Sequence, residues 1–314
     1  MEIKTIMKRK DFLKTMVAAG ASAAVLDTDG LQVIAQEAAA GIPDLVAVLG
    51  GEPDEMFRRA ITELGGMGRF VKRGQKVVVK PNIGWDKTPE MGANTHPLLV
   101  KEMVKQALDA GASEVVVFDH TCDEWRSAYK NSGIEDAVNE VGGKMMPADQ
   151  EAYYREVTLS EGKSLTKTKI HTAILDCDVW FNVPVLKHHR GTHMTLALKN
   201  YMGIVWDRQF FHANDLQQCI ADCGTYPKRP ALNVIDGYRV MKENGPRGIS
   251  VADAVVMKGL FVSPDIVAVD TAAVRFAQRV TEKELAAVSH IEKAMELKLG
   301  TMDIDSLQVK RINL

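Results

Sequence analysis

Short apolar runs without polar alternation recur along this chain, and segments of helical periodicity separate them. The clearest helical segment begins at Pro97, carries apolar side chains at every third or fourth position as far as Leu108, and stops at Gly111. The runs typical of strands cover residues 45–49, 76–80, 114–118, 179–183 and 231–235. Strands that are apolar on both faces must be covered on both faces. The sequence therefore predicts an α/β fold, an elaborated Rossmann-like arrangement with a mainly parallel sheet and helices on both faces.

The chain has 314 residues, a length that permits one large domain or two smaller ones. No internal repeat or low-complexity linker divides it. A polar, irregular segment at 150–169 is typical of a hairpin excursion or a lid. We predict a single elaborated domain over residues 44–314, and the alternative is two lobes split near 150–180.

The first forty residues have the features of an export signal. The basic stretch Lys8-Arg9-Lys10 precedes Phe12-Leu13-Lys14, and a weakly apolar run and small residues follow. The pattern resembles a twin-arginine signal, with Lys10 where the second arginine is expected; the alternative is an amphipathic N-terminal helix. We expect the export machinery to act on residues 1–40, which are then removed, and the protein to be periplasmic or otherwise extracytoplasmic. No later stretch is long and apolar enough to predict a membrane span.

Charge and cysteine content exclude several classes of protein. The formal net charge is −2, so there is no basic surface of the kind that nucleic-acid binding needs. The 4 cysteines are too few and too scattered for a disulfide scaffold. No pair of CxxC motifs occurs, so we expect no zinc ribbon and no iron–sulfur cluster.

Polar residues follow four of the predicted strands. These residues are Lys80 and Asn82, Asp119 and His120, the run from Lys187 to His193, and Asp236. Open parallel sheets bind ligands beyond the carboxyl ends of their strands, where loops and helix N-termini converge. The sequence therefore predicts that these groups meet at one edge of the sheet.

The segment after the predicted strand at 179–183 has the highest density of polar residues. His189 and His193 are four residues apart, a spacing that suits one metal ion if both are helical. A helix that begins near Thr192 would also place Thr195 and Lys199 on one face with it. The alternative is a solvated basic loop.

Lysine and histidine together suit anion binding and proton transfer near neutral pH. The candidate catalytic residues are His120, Lys187, Lys199 and His212. The candidate substrate-binding residues are Lys80, Asn82, Thr195, Asn200 and Asp236. The candidate metal ligands are His120, His188, His189, His193 and His212. This set predicts an enzyme that acts on a small anionic or hydroxylated substrate with a divalent metal or a bound cofactor; the alternative is an extracytoplasmic binding protein without turnover.

Several spaced motifs within residues 44–280 carry a family resemblance. They are Lys80-Pro81-Asn82, the segments 111–119, 183–187 and 198–203, His212, Asp236-Gly237, Asn244-Gly245-Pro246 and Ser263-Pro264-Asp265 with Asp270. In these motifs the chain resembles the family called domain of unknown function 362. The resemblance implies an α/β fold and no particular activity. Many members add a ferredoxin-like cysteine module, which this sequence lacks.

The order of His120, Lys199 and His212 is also similar to that in the lactate racemase family. Members of that family hold a nickel-pincer nucleotide with two histidines and a lysine and carry out reversible hydride transfer. The Gly-Gly that precedes their lysine is replaced here by Leu196-Ala197-Leu198. This resemblance implies redox or racemase/epimerase chemistry at the three residues.

Overall fold

The computed structural model describes residues 41–314, so the predicted export signal at residues 1–40 lies outside the described part of the chain. The strands are Leu45–Leu49 (β1), Lys76–Pro81 (β2), Glu114–Val117 (β3), Lys144–Met145 (β4), Tyr154–Thr158 (β5), Lys167–His171 (β6), Val179–Val183 (β7), Val185–His189 (β8), His193–Thr195 (β9), Leu232–Met241 (β10), Ala254–Ser263 (β11) and Val309–Asn313 (β12). The α-helices are Pro53–Glu63 (α1), Pro97–Asp109 (α2), Trp125–Asn131 (α3), Ile134–Glu140 (α4), Thr172–Asp176 (α5), Ala197–Asn200 (α6), Gln209–Ala213 (α7), Leu216–Cys223 (α8), Ile266–Ala277 (α9) and His290–Glu296 (α10). Within this part of the chain, no helix reaches the length and apolarity that a membrane span requires.

Ten of the strands form one mixed sheet in the order β12-β1-β11-β10-β7-β2-β3-β4, with β8 beside β10 and β9 beside β8. Strands β4, β3, β2, β7 and β10 run parallel to one another. Antiparallel pairing occurs where β11 joins β1 and β10, and in the β8–β9 hairpin. The predicted α/β fold with a mainly parallel sheet is confirmed. The antiparallel β11 was not predicted.

Helices cover both faces of the sheet, as predicted. Successive side chains of a strand point to opposite faces. Val77 and Val79 of β2 belong to an apolar core that includes side chains of α1 and α2, whereas Val78 belongs to a second core that includes side chains of α8 and α9. The central strand is therefore buried on both sides, which explains its continuous apolar run. Residues 42–314 form one compact unit.

The polar segment that begins near residue 150 forms the antiparallel hairpin β5–β6. Ile170 of β6 bridges to Val205, and the Trp206 amide donates a hydrogen bond to the Lys169 carbonyl at 3.0 Å. The hairpin is thereby attached to the segment between α6 and α7, which lies beside the candidate site.

The chain does not become helical near Thr192, so the shared helical face considered for this segment does not form. It continues from β8 through a reversal at Gly191 and returns as β9, which places His189 opposite His193. His193 has a left-handed backbone, with φ of 64°, at this reversal. Helix α6 begins only at Ala197. The threonines and the lysine of this segment therefore do not share a helical face.

Candidate functional site

A cavity of about 480 Å³ opens beyond the carboxyl ends of β2 and β3. Asn82 follows β2 directly, and Asp119 and His120 follow β3; all three line the cavity. Strand β8 contributes Lys187, and helix α6 contributes Lys199. Four elements therefore place polar side chains around one space, at the edge of the sheet where ligands bind in folds of this class.

The structure brings together most of the residues that the sequence predicted for the site. The cavity is lined by the four candidate catalytic residues, by three candidate substrate-binding residues and by one further candidate metal ligand: His120, Lys187, Lys199 and His212; Asn82, Thr195 and Asn200; and His189. The predicted residues that lie outside its wall are Lys80, His188, His193 and Asp236.

Lys80 lies behind the cavity wall in a buried ion pair. Its Nζ is 2.7 Å from Asp119 Oδ1 and donates to Asn200 Oδ1 at 2.8 Å. Burial lowers the pKa of Lys80, and the Asp119 carboxylate opposes that shift. Because the ammonium is fully buried and bonded within the protein, Lys80 positions Asp119 and Asn200 and does not itself reach a substrate. This corrects its predicted role.

Asp236 is also not a substrate-binding residue, contrary to the prediction. It lies inside β10 and not at the end of a strand. Its Oδ2 accepts a hydrogen bond from His96 N at 2.7 Å, and its Oδ1 accepts one from Tyr238 N at 2.9 Å. The buried carboxylate therefore fixes the entry into α2, which begins at Pro97.

Four asparagines beside the cavity form a network that we call the amide network: Asn82, Asn182, Asn200 and Asn233. Asn182 Nδ2 donates to Asn233 Oδ1 at 2.9 Å, and Asn200 Nδ2 donates to Asn182 Oδ1 at 2.8 Å. Asn82 Nδ2 donates to Asn200 Oδ1 at 3.3 Å. The network joins β10, β7 and α6 to the turn after β2 and so fixes the floor of the cavity.

Lys187 is buried in β8 and bonds to neutral oxygens. Its Nζ donates to Asn82 Oδ1 at 2.8 Å and to the carbonyl of Ala93. Burial lowers the pKa of Lys187 to about 7. The side chain therefore links the amide network to the cavity wall and carries a charge that changes near neutral pH.

Lys199 projects from α6 into the cavity. The amides of Ala197 and Leu198, at the start of this helix, donate to the two carboxylate oxygens of Asp270 at 2.7 and 3.0 Å, which fixes the helix. Within residues 41–314, Lys199 Nζ has no hydrogen-bond or ion-pair partner. Burial lowers the pKa of Lys199 to about 8, and Arg208 contributes to that shift.

Arg208 belongs to the site, although sequence reasoning missed it. It lines the cavity and donates from Nη1 to the His120 carbonyl at 2.7 Å and from Nη2 to the Thr121 carbonyl at 2.8 Å. It lies in the irregular segment between Val205 and Gln209, so neither a strand end nor helical periodicity marks it. Its fork of donors holds the loop after β3 in place.

Burial and neighbouring cations disfavour protonation of the three histidines that line the cavity. Burial, and then the nearby lysines, lower the pKa of His189 to about 2. Burial followed by Arg208 lowers the pKa of His120, and burial followed by Lys199 lowers that of His212. A proton on any of these rings would add positive charge to a site that already carries an excess of it. At neutral pH they therefore act as neutral hydrogen-bonding groups.

The predicted histidine metal site does not assemble. Its expected members were His120, His188, His189, His193 and His212. In the described range 41–314, no three His, Cys, Asp or Glu side chains approach one another closely enough to hold a metal ion. His188 and His189 are neighbours on β8 and point to opposite faces, and His188 Nδ1 accepts a hydrogen bond from Gly245 N at 3.0 Å. The described residues therefore do not provide a metal site built from protein side chains alone.

The family model described as "Domain of unknown function (DUF362)" matches residues 77–275. The chain belongs to the DUF362 family. The match begins in β2 and ends in α9, so it includes every residue that lines the cavity. The resemblance that the sequence motifs indicated is confirmed.

This DUF362 chain is also similar to three known proteins. A thylakoid-associated protein of Synechocystis is 27% identical over 222 residues, which cover 68% of this chain and 66% of that protein. A Thermotoga maritima protein of known structure has a TM-score of 0.46 and 14% identity, over 79% of this chain and 60% of that one. The lactate racemase apoprotein from Thermoanaerobacterium thermosaccharolyticum has a TM-score of 0.45 and 13% identity, over 74% of this chain and 56% of that one. The chain spans less than two thirds of the length of each protein.

A histidine beside the site makes the stability of this DUF362 protein depend on pH. His171 Nε2 donates a hydrogen bond to the Pro147 carbonyl at 3.1 Å, and its Nδ1 accepts one from Ala173 N at 3.1 Å. Burial lowers the pKa of the ring to about 4. Below pH ~6.5 the unfolded chain binds a proton at this residue that the folded chain does not, so the free energy of unfolding falls as the pH falls. We expect His171 to account for a loss of about 1 kcal/mol between pH ~6.5 and ~5.5.

Denaturant unfolding at a series of pH values measures this slope. The matched variant is His171→Asn, which keeps a hydrogen-bond acceptor at the start of α5 but does not titrate. Its slope should be smaller than that of the wild type over the same range. Equal slopes in the two proteins would show that His171 is protonated as readily in the folded state as in the unfolded chain.

Proposed function

We propose that this DUF362 protein is an enzyme that binds a small carboxylate anion in the cavity and uses Lys199 to transfer a proton at a carbon next to that carboxylate. The observation that carries the proposal is the Lys199 ammonium, which faces the cavity without a partner from residues 41–314. A cation left unpaired beside other cations is destabilising unless an anion binds to it. The ligand supplies that anion.

The charge balance of the cavity supports an anionic ligand. Asp119, the carboxylate in its wall, is already paired with Lys80. Lys187 and Arg208 bond to neutral carbonyl and amide oxygens, so their positive charges are not neutralised by these contacts. Together with Lys199 they attract a carboxylate and hold it beside the acid–base group.

The proposed chemistry is proton exchange of the kind that racemases and epimerases use. Burial brings the pKa of Lys199 to about 8, so both of its protonation states are present near neutral pH, as general acid–base catalysis requires. The neutral Nζ takes the proton from carbon, and the electrons of the C–H bond pass into an enolate. Lys187 and Arg208 stabilise the added negative charge. Return of the proton to either face of the carbon gives the substrate or its epimer.

Deuterium exchange tests this proposal. The protein is incubated with small 2-hydroxy carboxylates in D₂O, and proton NMR follows the signal of the hydrogen on the carbon next to the carboxylate. We expect that signal to be lost at the same rate with the wild type and with Lys105→Met, whose lysine is exposed on α2 and paired with Asp109. If every carboxylate that binds kept the hydrogen on the carbon next to its carboxylate, the protein would be a binding protein without turnover.

A second candidate function is hydride transfer with a bound anionic cofactor. The observation that favours it is that His120, Lys199 and His212, the residues of the lactate racemase resemblance, line the same cavity. A nickel-pincer nucleotide would supply hydride transfer when bound, and these residues would hold it. Elemental analysis and native mass spectrometry of the folded protein test this candidate. Absence of nickel and of any added mass from a protein that exchanges deuterium would eliminate it.

We also propose that residues 1–40 direct export and are removed, which leaves a single domain over residues 44–314 outside the cytoplasm. The basic and then weakly apolar pattern of the segment supports this, and a similar cyanobacterial protein is named as thylakoid-associated. In cell fractionation, we expect a shortened protein outside the cytoplasm and retention of Arg9→Gln inside it. Full-length protein in the cytoplasm for both chains would contradict the proposal.

A further inference from the structure

Cys122 lies in the wall of the cavity, and the proposed proton transfer makes no use of it. Its thiol is free and exposed, whereas the other cysteines of the chain, Cys177, Cys219 and Cys223, are buried. Cys122 is therefore the one cysteine in the lining of the described cavity, and the chain provides buried thiols for comparison.

The sulfur is held against a fixed cation. Cys122 N donates to the Gly84 carbonyl at 2.8 Å, which fixes the backbone of the loop. Arg208 Nη1 is 3.4 Å from Cys122 Sγ and also donates to the His120 carbonyl. Cationic neighbours stabilise a thiolate, and the thiolate is the nucleophilic form of cysteine.

The lysines of the cavity provide an independent indication of a ligand at the same place. Cys122, Lys187 and Lys199 all line this cavity, so the sulfur and both ammonium groups face one space. Lys199 lines the same cavity, and its Nζ has no hydrogen-bond or ion-pair partner from residues 41–314. An anion that binds to Lys199 is therefore brought close to the sulfur.

We propose that Cys122 is a nucleophilic thiol of this cavity that forms a covalent bond with small anionic electrophiles. The proposal rests on the proposed function in one respect, because the same cations hold the carboxylate of the ligand. The Cys122 thiolate, whose proton has passed to solvent, forms a bond from sulfur to the electrophilic carbon. The bond between that carbon and its leaving group breaks, and the leaving group departs with the electron pair.

Parallel alkylation with iodoacetate and iodoacetamide tests the proposal. Both reagents release iodide, and they differ in that iodoacetate carries a carboxylate. Relative to a free thiol in solution, we expect the wild-type protein to favour iodoacetate over iodoacetamide by about tenfold, with the label on the Cys122 peptide. The preference should shrink at high salt and in Arg208→Gln and Lys199→Met, and Cys122→Ser should remain unlabelled.

A preference no greater than that of a free thiol, in protein with a wild-type melting temperature, would overturn the proposal. That outcome is separate from failure of the proposed enzyme. If 2-hydroxy carboxylates exchange deuterium while Cys122 shows no preference for iodoacetate, the thiol proposal alone fails. If iodoacetate is preferred and no carboxylate exchanges its proton, Cys122 is confirmed as the nucleophile and the acid–base role of Lys199 fails.

Discussion

Lys199→Met is expected to lower the rate of deuterium exchange by a factor of about 10³ and to leave the fold intact. Lys199 Nζ makes no bond within residues 41–314, so the substitution removes no hydrogen bond between them. Methionine keeps most of the length of the lysine side chain and fills the same space. Because the change also removes repulsion with Arg208, the melting temperature should stay the same or rise. Exchange by NMR and thermal unfolding are measured on the same preparations.

Lys187→Met is the informative comparison for this variant. It leaves the side-chain oxygen of Asn82 and the carbonyl of Ala93 without their donor, so we expect it to lower both the exchange rate and the melting temperature. Lys199→Met should lower the exchange rate alone. Exchange at the wild-type rate in Lys199→Met would show that another group transfers the proton.

Gly203→Ala is expected to cause a large loss of stability. A Cβ at Gly203 would collide with Asp119 Oδ1 and with the end of the Lys80 side chain, both of which are buried. Either the ion pair separates or the segment from Gly203 back to α6 moves. Breaking a buried ion pair costs about 3–5 kcal/mol, and we expect the free energy of unfolding to fall by that amount. Exchange should be lost as well, because His120 N donates to the Gly203 carbonyl at 3.1 Å.

Gly68→Ala is the matched control for this substitution. A Cβ at Gly68 would meet no heavy atom within 4 Å. The same chemical change should therefore leave the unfolding free energy close to that of the wild type, as judged by denaturant titration. A Gly203→Ala protein as stable as Gly68→Ala would mean that the Lys80–Asp119 pair is not confined as the structure indicates.

The sequence predicted the parts of the fold in which periodicity alone determines the element. Helix α2 and strands β2 and β7 form where apolar runs and stripes placed them, because burial on one or both faces dictates those patterns. Strand β10 was predicted to end before Asp236-Gly237, a pair typical of turns. It continues to Met241, because β11 pairs alongside it with a shift in register after Gly237. Pairing between distant strands overrode the local signal, and the role predicted for Asp236 failed for that reason.

Contacts between residues distant in sequence also limited the prediction of the candidate site. His120, Lys187 and Lys199 were predicted from their positions after strands or within a motif, and the structure places all three in the cavity wall. The positioning roles of two residues were not predicted: Asp270, which was named only as a motif residue, and Arg208, which was missed. Asp270 lies in the middle of a helical segment, and Arg208 lies in an irregular one. A local pattern indicates which side chain faces a ligand, but the partner that orients it is often far away in sequence.

The amide network has a consequence for how proteins of this kind diverge. Each of its asparagines pairs with at least one other, so losing one leaves a buried amide group unpaired at a cost of about 1–3 kcal/mol. A lineage that replaced the asparagines one at a time would pass through weakened intermediates. His212 on α7 lies outside the network, so it can change without leaving a network amide unpaired. New substrate preferences should therefore arise through changes at the rim of the cavity, while the four asparagines of the amide network are kept together.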